Sequence, residues 1–205
     1  MNTKLLGEYK VILWDFDGVI IDSDKIRIFG FREVLKEYPQ IAVDKLIDYH
    51  LRNGGLSRYV KFRYFFEQVL GQEISNERIK ILANSFSQIM VKHLKNPQLV
   101  IEEALGCIQF LHKAGKTMHI VSGSDELELL DLTHHPGLYR YFESVKGSPT
   151  PKVDLVKSII DNSIEERDFF CLIGDSINDY QAASSNGIKF FGYNNEELIN
   201  LDGYL

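Results

Sequence analysis

The chain changes its hydrophobic rhythm at two points. Near the start, Val11-Ile12-Leu13-Trp14 is an unbroken apolar run of strand-forming residues, the pattern of a strand covered on both faces of a parallel sheet. It delivers Asp15 and Asp17, one residue apart, into a turn at Gly18, followed by the apolar pair Val19-Ile20. Helical spacing then takes over. Asp22-Ser23-Asp24 caps a helix predicted over 25–38, with Ile26, Phe29, Val34, Leu35 and Tyr38 facing the core and Pro39 as the stop. A second helix over 43–51 ends at Asn53-Gly54-Gly55. Ser57 opens a third, through residue 70, with Val60, Tyr64, Phe65 and Val69 as its stripe and Gly71 just past its end. Ser75 caps a fourth, carrying Ile79, Leu82, Ala83, Phe86, Met90 and Leu94 and closed by Asn96-Pro97. Nothing in this block alternates with period two.

From Gln98 onward, strands and helices alternate. Helices are predicted over 102–113, after the capping pair Ser124-Asp125, over 153–161, over 178–186 and, briefly, over 196–201. Strands fall at 117–121, 144–146, 169–173 and 188–192, and Pro136-Gly137 interrupts the helix that ends near His134-His135. That order predicts an α/β fold, a Rossmann-like parallel sheet with right-handed crossovers. Its core is residues 1–21 and 98–205, and residues 22–97 form a helical insert. There is no internal repeat and no low-complexity segment.

Composition narrows the class. A length of 205 residues, 44% hydrophobic and 25% charged, is that of one globular core with a smaller insertion. The net charge of −6 argues against nucleic acid or an anionic membrane as the main partner. Cys107 and Cys171 fall in apolar patterns and are expected as small buried hydrophobes in a reducing compartment. With no basic, apolar leader in residues 1–10 and no long apolar run, a soluble cytoplasmic protein, monomer or homodimer, is expected.

The chemistry gathers at strand ends. Two like charges ~4 Å apart repel by about 4 kcal/mol at an effective dielectric near 20, so Asp15 and Asp17 ask for a cation or a proton. By itself, Asp-x-Asp-Gly also fits a calcium loop or a solvated turn. A second strand, Cys171-Leu172-Ile173, runs into Gly174-Asp175 with Asp179 four residues on. Strands of a parallel sheet end on one rim, so Asp15, Asp17, Asp175 and Asp179 converge as an oxygen-rich set suited to a hard divalent cation. Ile120-Val121-Ser122-Gly123-Ser124 ends another strand with hydroxyls and free backbone N–H groups, an anion site or an ordinary helix cap. His134-His135 has no partner at ligand spacing and reads as a helix end.

Asp-x-Asp-Gly-Val-x-x-Asp-Ser, here Asp15 to Ser23, resembles the opening motif of the haloacid dehalogenase-like superfamily, in its phosphoglycolate phosphatase and β-phosphoglucomutase-like branch. Ser122 and Gly-Asp-Ser-x-x-Asp at Gly174 to Asp179 match further motifs in order. The resemblance implies a Mg2+-dependent phosphatase acting on a small phosphate monoester, a sugar phosphate or a phosphoglycolate-like acid. Asp15 is then the nucleophile that forms an aspartyl phosphate, and Asp17 the general acid and base, which needs a pKa raised from ~3.9 to around 6. Asp15, Asp17 through its carbonyl, Asp175 and Asp179 make the metal set, with Asp179 also placed to orient a lysine. Gly18, Ser122, Gly123 and Lys152 bind phosphate. In Gly147-Ser148-Pro149-Thr150-Pro151-Lys152 the chain departs from the branch, since Ser148 stands where the lysine is usual. Lys152 is the expected substitute and Lys146 the fallback. The helical insert is then a cap, and Arg58, after Gly54-Gly55, reads a sugar hydroxyl or a distal anion, or is an exposed helix start. Two alternatives remain: a phosphomutase using the same intermediate, and a catalytically silent binding protein.

Overall fold

The computed structural model describes residues 1–134 and 137–205, so the expectations for His135 and Pro136 lie outside the described residues. Five parallel strands form one sheet in the order β3-β2-β1-β4-β5. They are β1 (Val11–Trp14), β2 (Thr117–Asp125), β3 (Ser144–Ser148), β4 (Phe170–Gly174) and β5 (Lys189–Gly192). The central strand β1 is buried throughout, and Trp14 stands level with Ile120 of β2 and Ile173 of β4. Alternate side chains feed two cores. Ile12 and Trp14 join a cluster that runs on into the insert, while Val11 and Leu13 pack with Leu155, Val156 and Ala183 on the other face.

Nine α-helices accompany the sheet among the described residues: α1 (Thr3–Leu6), α2 (Asp24–Val34), α3 (Gln40–Arg52), α4 (Arg58–Tyr64), α5 (Asn76–Leu94), α6 (Glu102–Lys113), α7 (Glu126–His134), α8 (Lys152–Asp161) and α9 (Ile177–Ser185). The insert, α2 to α5, enters and leaves through a short paired neck. Ile21 bridges Val100 antiparallel, Asp22 N–H donates to the Leu99 carbonyl (2.8 Å), and Ile101 N–H donates to the Ile20 carbonyl (2.9 Å).

Several sequence expectations shift. In α2, Phe29 is 42% exposed, and Phe31 and Leu35 take the core positions. The helix predicted through residue 70 ends at Tyr64 and passes into a π-turn, Phe65–Val69, closed by Leu70 N–H donating to the Phe65 carbonyl. A π-turn adds one residue to the helical repeat and rotates the buried stripe. Val60, which precedes the π-turn, is exposed because α4 buries the face of Arg58, Lys61 and Phe62 instead, and Phe65 and Phe66 are buried beyond it. Strand β2 continues past Val121 to Asp125 with a register irregularity, so Ser124 lies in the strand. Asp125 alone caps α7, accepting from Leu127 N–H at 3.2 Å. The last predicted helix is only a 3₁₀ turn, Glu196–Leu198. Short α1 carries no strong periodic signal and was not expected. Cys107 and Cys171 are buried and unpaired, and no helix of the described residues is long and apolar enough to cross a membrane.

Candidate active site

The chain leaves β1 on one side to build β2 and β3 and on the other to build β4 and β5, so the sheet switches direction between β1 and β4. Ligand crevices open at the carboxyl ends of strands at such a switch. Asp15 follows β1 and Asp175 follows β4. With Asp179 of α9 they place one carboxylate oxygen each within 4.8 Å of one another. Lys152, the first residue of α8, is buried beside them, its Nζ 2.8 Å from Asp15 Oδ1 and also bonded to Asp179. Lys152 thus stands in the place expected of a lysine at Ser148, while Lys146 is exposed. Burial, reinforced by Asp179, raises the Asp15 carboxyl to about 7 despite Lys152. Burial and Asp15 hold Asp175 well above the carboxylate range. Against its own burial, Lys152 is raised by Asp15 and Asp179.

The carboxylates of Asp179 and Asp17, both expected in the metal set, hold protein partners. Both oxygens of Asp179 are engaged: one by Lys152, the other by Ser176 N–H (3.0 Å) and Oγ–H (2.6 Å). Asp179 thereby holds the Lys152 ammonium beside Asp15. The Asp17 carboxylate turns toward the insert. It accepts from Arg27 Nε (2.9 Å) and Nη2 (3.1 Å), from Ser23 Oγ (2.5 Å) and from Ser124 Oγ (2.6 Å). Burial alone would raise its pKa, but the Arg27 charge and these donors lower it to about 2, opposite to the expected rise. Carboxylate oxygens of Asp15 and Asp175 remain. Among the described residues Lys152 is the only cation in ion-pair contact with the cluster, so the donor set fits a hard divalent cation.

Gly18 serves the turn instead of an anion, because its N–H donates to the Ile21 carbonyl (2.9 Å). Its φ is +73°, and a Cβ there would lie 2.0 Å from Asp175 Oδ2, so glycine is what lets β1 and β4 bring their acids together. Ser122 is buried, its Oγ accepting from Ser124 N–H at 3.1 Å. A Cβ on Gly123 would lie 2.1 Å from the Gly55 carbonyl oxygen. Gly123 therefore seats the insert's glycine loop against β2, and Asn178 Nδ2 holds Gly54 O at 2.5 Å.

Above this rim is a cavity of about 70 Å³ walled by Asp15, Asp175 and Ser122 on the sheet side and by insert residues opposite. Arg58 is no exposed helix start. It is 4% exposed, stacks on Phe86 at 4.6 Å, and donates from Nη1 to Glu128 Oε2 (2.6 Å) and Ser87 Oγ (2.7 Å). The other Glu128 oxygen accepts from Arg27 Nη1 (2.5 Å). Sequence reading missed Arg27, His50, Lys61 and Glu128. Arg27 and Lys61 had a visible signal, a charge at the register of a buried stripe, whereas Glu128 and His50 had none.

Fold and rim together define a hydrolase: residues 12–193 match the haloacid dehalogenase-like hydrolase family, and the chain belongs to it. Phosphoglycolate phosphatases of Vibrio parahaemolyticus and Aliivibrio fischeri are 22% and 24% identical to it, over 94% and 95% of this chain and 88% and 90% of theirs. In structure it is similar to a haloacid dehalogenase-like hydrolase from Bacteroides fragilis, with a TM-score of 0.77, 20% identity, and 96% and 95% of the two chains covered. It is also similar to CbbY from Rhodobacter sphaeroides, solved in complex with phosphate, with a TM-score of 0.75, 14% identity, and 96% and 93% covered.

Proposed function

We propose that the protein is a Mg2+-dependent phosphatase of a small phosphate monoester, working through an aspartyl phosphate on Asp15, with residues 22–97 as a cap over the site. The observation that carries this reading is the buried Asp15, Asp175 and Lys152 grouping at the switch point of the sheet. Asp15 and Asp175, with the Asp17 carbonyl, would hold the ion, which when bound neutralises the phosphoryl oxygens as the nucleophile approaches. Asp15 Oδ attacks phosphorus, the P–O bond to the leaving alcohol breaks, and water later cleaves the acyl phosphate, returning the carboxylate. Lys152 and the Ser122 hydroxyl stabilise the transferring oxygens, and Asp179 keeps Lys152 in place. Asp17, ionised beside Arg27, takes the proton of the attacking water. Protonating the leaving oxygen requires the Arg27 pair to loosen as the ester enters. The small cavity and its buried arginine favour compact esters, phosphoglycolate-like or a short sugar phosphate.

Phosphate release from a panel of monoesters, with Mg2+ and with chelator, tests the reading. Release that needs the metal and falls by ~10³-fold or more in Asp15→Asn is expected. Full activity in that folded variant removes Asp15 as nucleophile, and isomer formation without release makes the enzyme a mutase.

A further inference from the structure

A buried relay of alternating charges runs between the core and the insert. Asp17 accepts from Arg27 Nε and Nη2, Arg27 Nη1 donates to Glu128 Oε1 (2.5 Å), and Arg58 Nη1 donates to Glu128 Oε2 (2.6 Å). Asp17 and Glu128 belong to the core, Arg27 and Arg58 to the insert. The Glu128 side chain is fully buried. Holding the insert in place does not by itself call for it. Asp125 and Asp131, at three-residue spacing on either side of Glu128, already tie this edge of α7 to the insert through Tyr59 (2.8 Å) and Lys95 (2.9 Å). A buried ion pair is seldom worth more to stability than apolar packing of the same volume.

The relay has one open end. Arg58 Nη2 is buried with no partner among the described residues, and Arg27 and Arg58 both line the cavity beside Asp15. Buried donors are normally satisfied, so an oxygen of an entering ester is the acceptor that this one lacks. Phe86 lies under both guanidiniums, 4.6 Å from Arg58 and 6.0 Å from Arg27. Either cation can shift over that ring and stay in contact with it.

We propose that Glu128 is a positioning residue that changes partners as substrate binds: Arg58 turns to the ester, Glu128 Oε2 accepts from Arg27 in its place, and Asp17 is released to face the leaving oxygen. The proposal rests on the phosphatase reading and supplies the loosening of the Arg27 pair which that reading requires. Neither arginine is left unpaired by the exchange, and Asp17 keeps the Ser23 and Ser124 hydroxyls.

Leaving groups separate this role from a merely structural one. 2-Phosphoglycolate leaves an alkoxide that needs a proton, whereas acetyl phosphate, of similar size, leaves a carboxylate that does not. In Glu128→Gln the neutral amide holds Arg27 too weakly to draw it from Asp17. There kcat/KM for 2-phosphoglycolate is expected to fall ~100-fold, and that for acetyl phosphate to stay within about 3-fold of wild type. Glu128→Asp, too short to span both arginines, serves with the same split if the glutamine variant does not fold. Equal slowing of both esters, or no change in either, overturns the exchange and leaves the phosphatase standing. The nuclear magnetic resonance signal of Arg27 Nε–H, assigned by its loss in Arg27→Lys, reads the exchange without turnover. In the Asp15→Asn protein it is expected to move on adding 2-phosphoglycolate, and to stay in place once Glu128→Gln is added. That pattern, in a protein whose Asp15 form turns over neither ester, upholds the relay and sinks the phosphatase reading. A signal unmoved by the ester, or moved equally in Glu128→Gln, sinks the relay.

Discussion

At the scale of single residues, two buried lysines are held in opposite ways. Lys152 lies between Asp15 and Asp179, and its charge is supported. Lys61 has only a neutral imidazole, and burial together with Arg27 and Arg58 lowers its pKa to about 7 despite Asp17. A lysine depressed in the fold binds fewer protons folded than unfolded between about pH 7 and its ordinary value near 10.5. Stability from this group therefore rises with pH across that window, and the full penalty is present below it. Lys61→Met is expected to be more stable than wild type at pH 6, by several kcal/mol at ~1.36 kcal/mol per pKa unit. The gain should fade toward pH 10 in paired denaturant titrations; a methionine variant less stable at pH 6 would contradict the geometry. Asp15, Asp17, Ser122 and Asp175 were legible because each closes an apolar strand. Lys152 was legible because it follows a proline turn. Asp17's pairing with Arg27 was not, since a ten-residue separation across a turn and a helix says nothing of which way a carboxylate swings.

Among the elements, the strands and most helix limits followed from periodicity, while the misread faces share a cause. Phe29 and Val60 face out because each helix buries a face that carries cations, Arg27 with Gly30 and Phe31 in α2, and Arg58 and Lys61 with Phe62 in α4. Irregular β2 is the more consequential element, because Ser122-Gly123-Ser124 stays in the strand and brings Gly123 under Gly55. Gly123→Ala would push its methyl into the Gly55 carbonyl and lift the 53–57 loop. A KM increase of at least ~10-fold is expected from misplaced cavity residues, with about 1–3 kcal/mol lost to overpacking. Unchanged kinetics in the alanine variant would mean that the loop is not needed where it lies.

For the molecule as a whole, the acid rim is a liability of the fold that a bound ion would relieve. Ligands that bind only the folded chain stabilise it by mass action. Millimolar Mg2+ is therefore expected to raise the melting temperature by several degrees, chelator to reverse this, and Asp175→Asn to abolish the response. A melting temperature indifferent to Mg2+ would remove the metal assignment. The paired neck bears on how the chain finds this fold. Strands β1 and β2 are neighbours in the sheet but far apart in sequence, a loop whose closure entropy grows with its length. Helices of the insert pack on one another, and α2 against α5 brings the insert's two ends together. Once they do, Ile21 and Val100 are held as a bridge, and the long loop between the first two strands has become, for folding purposes, little more than a hairpin turn.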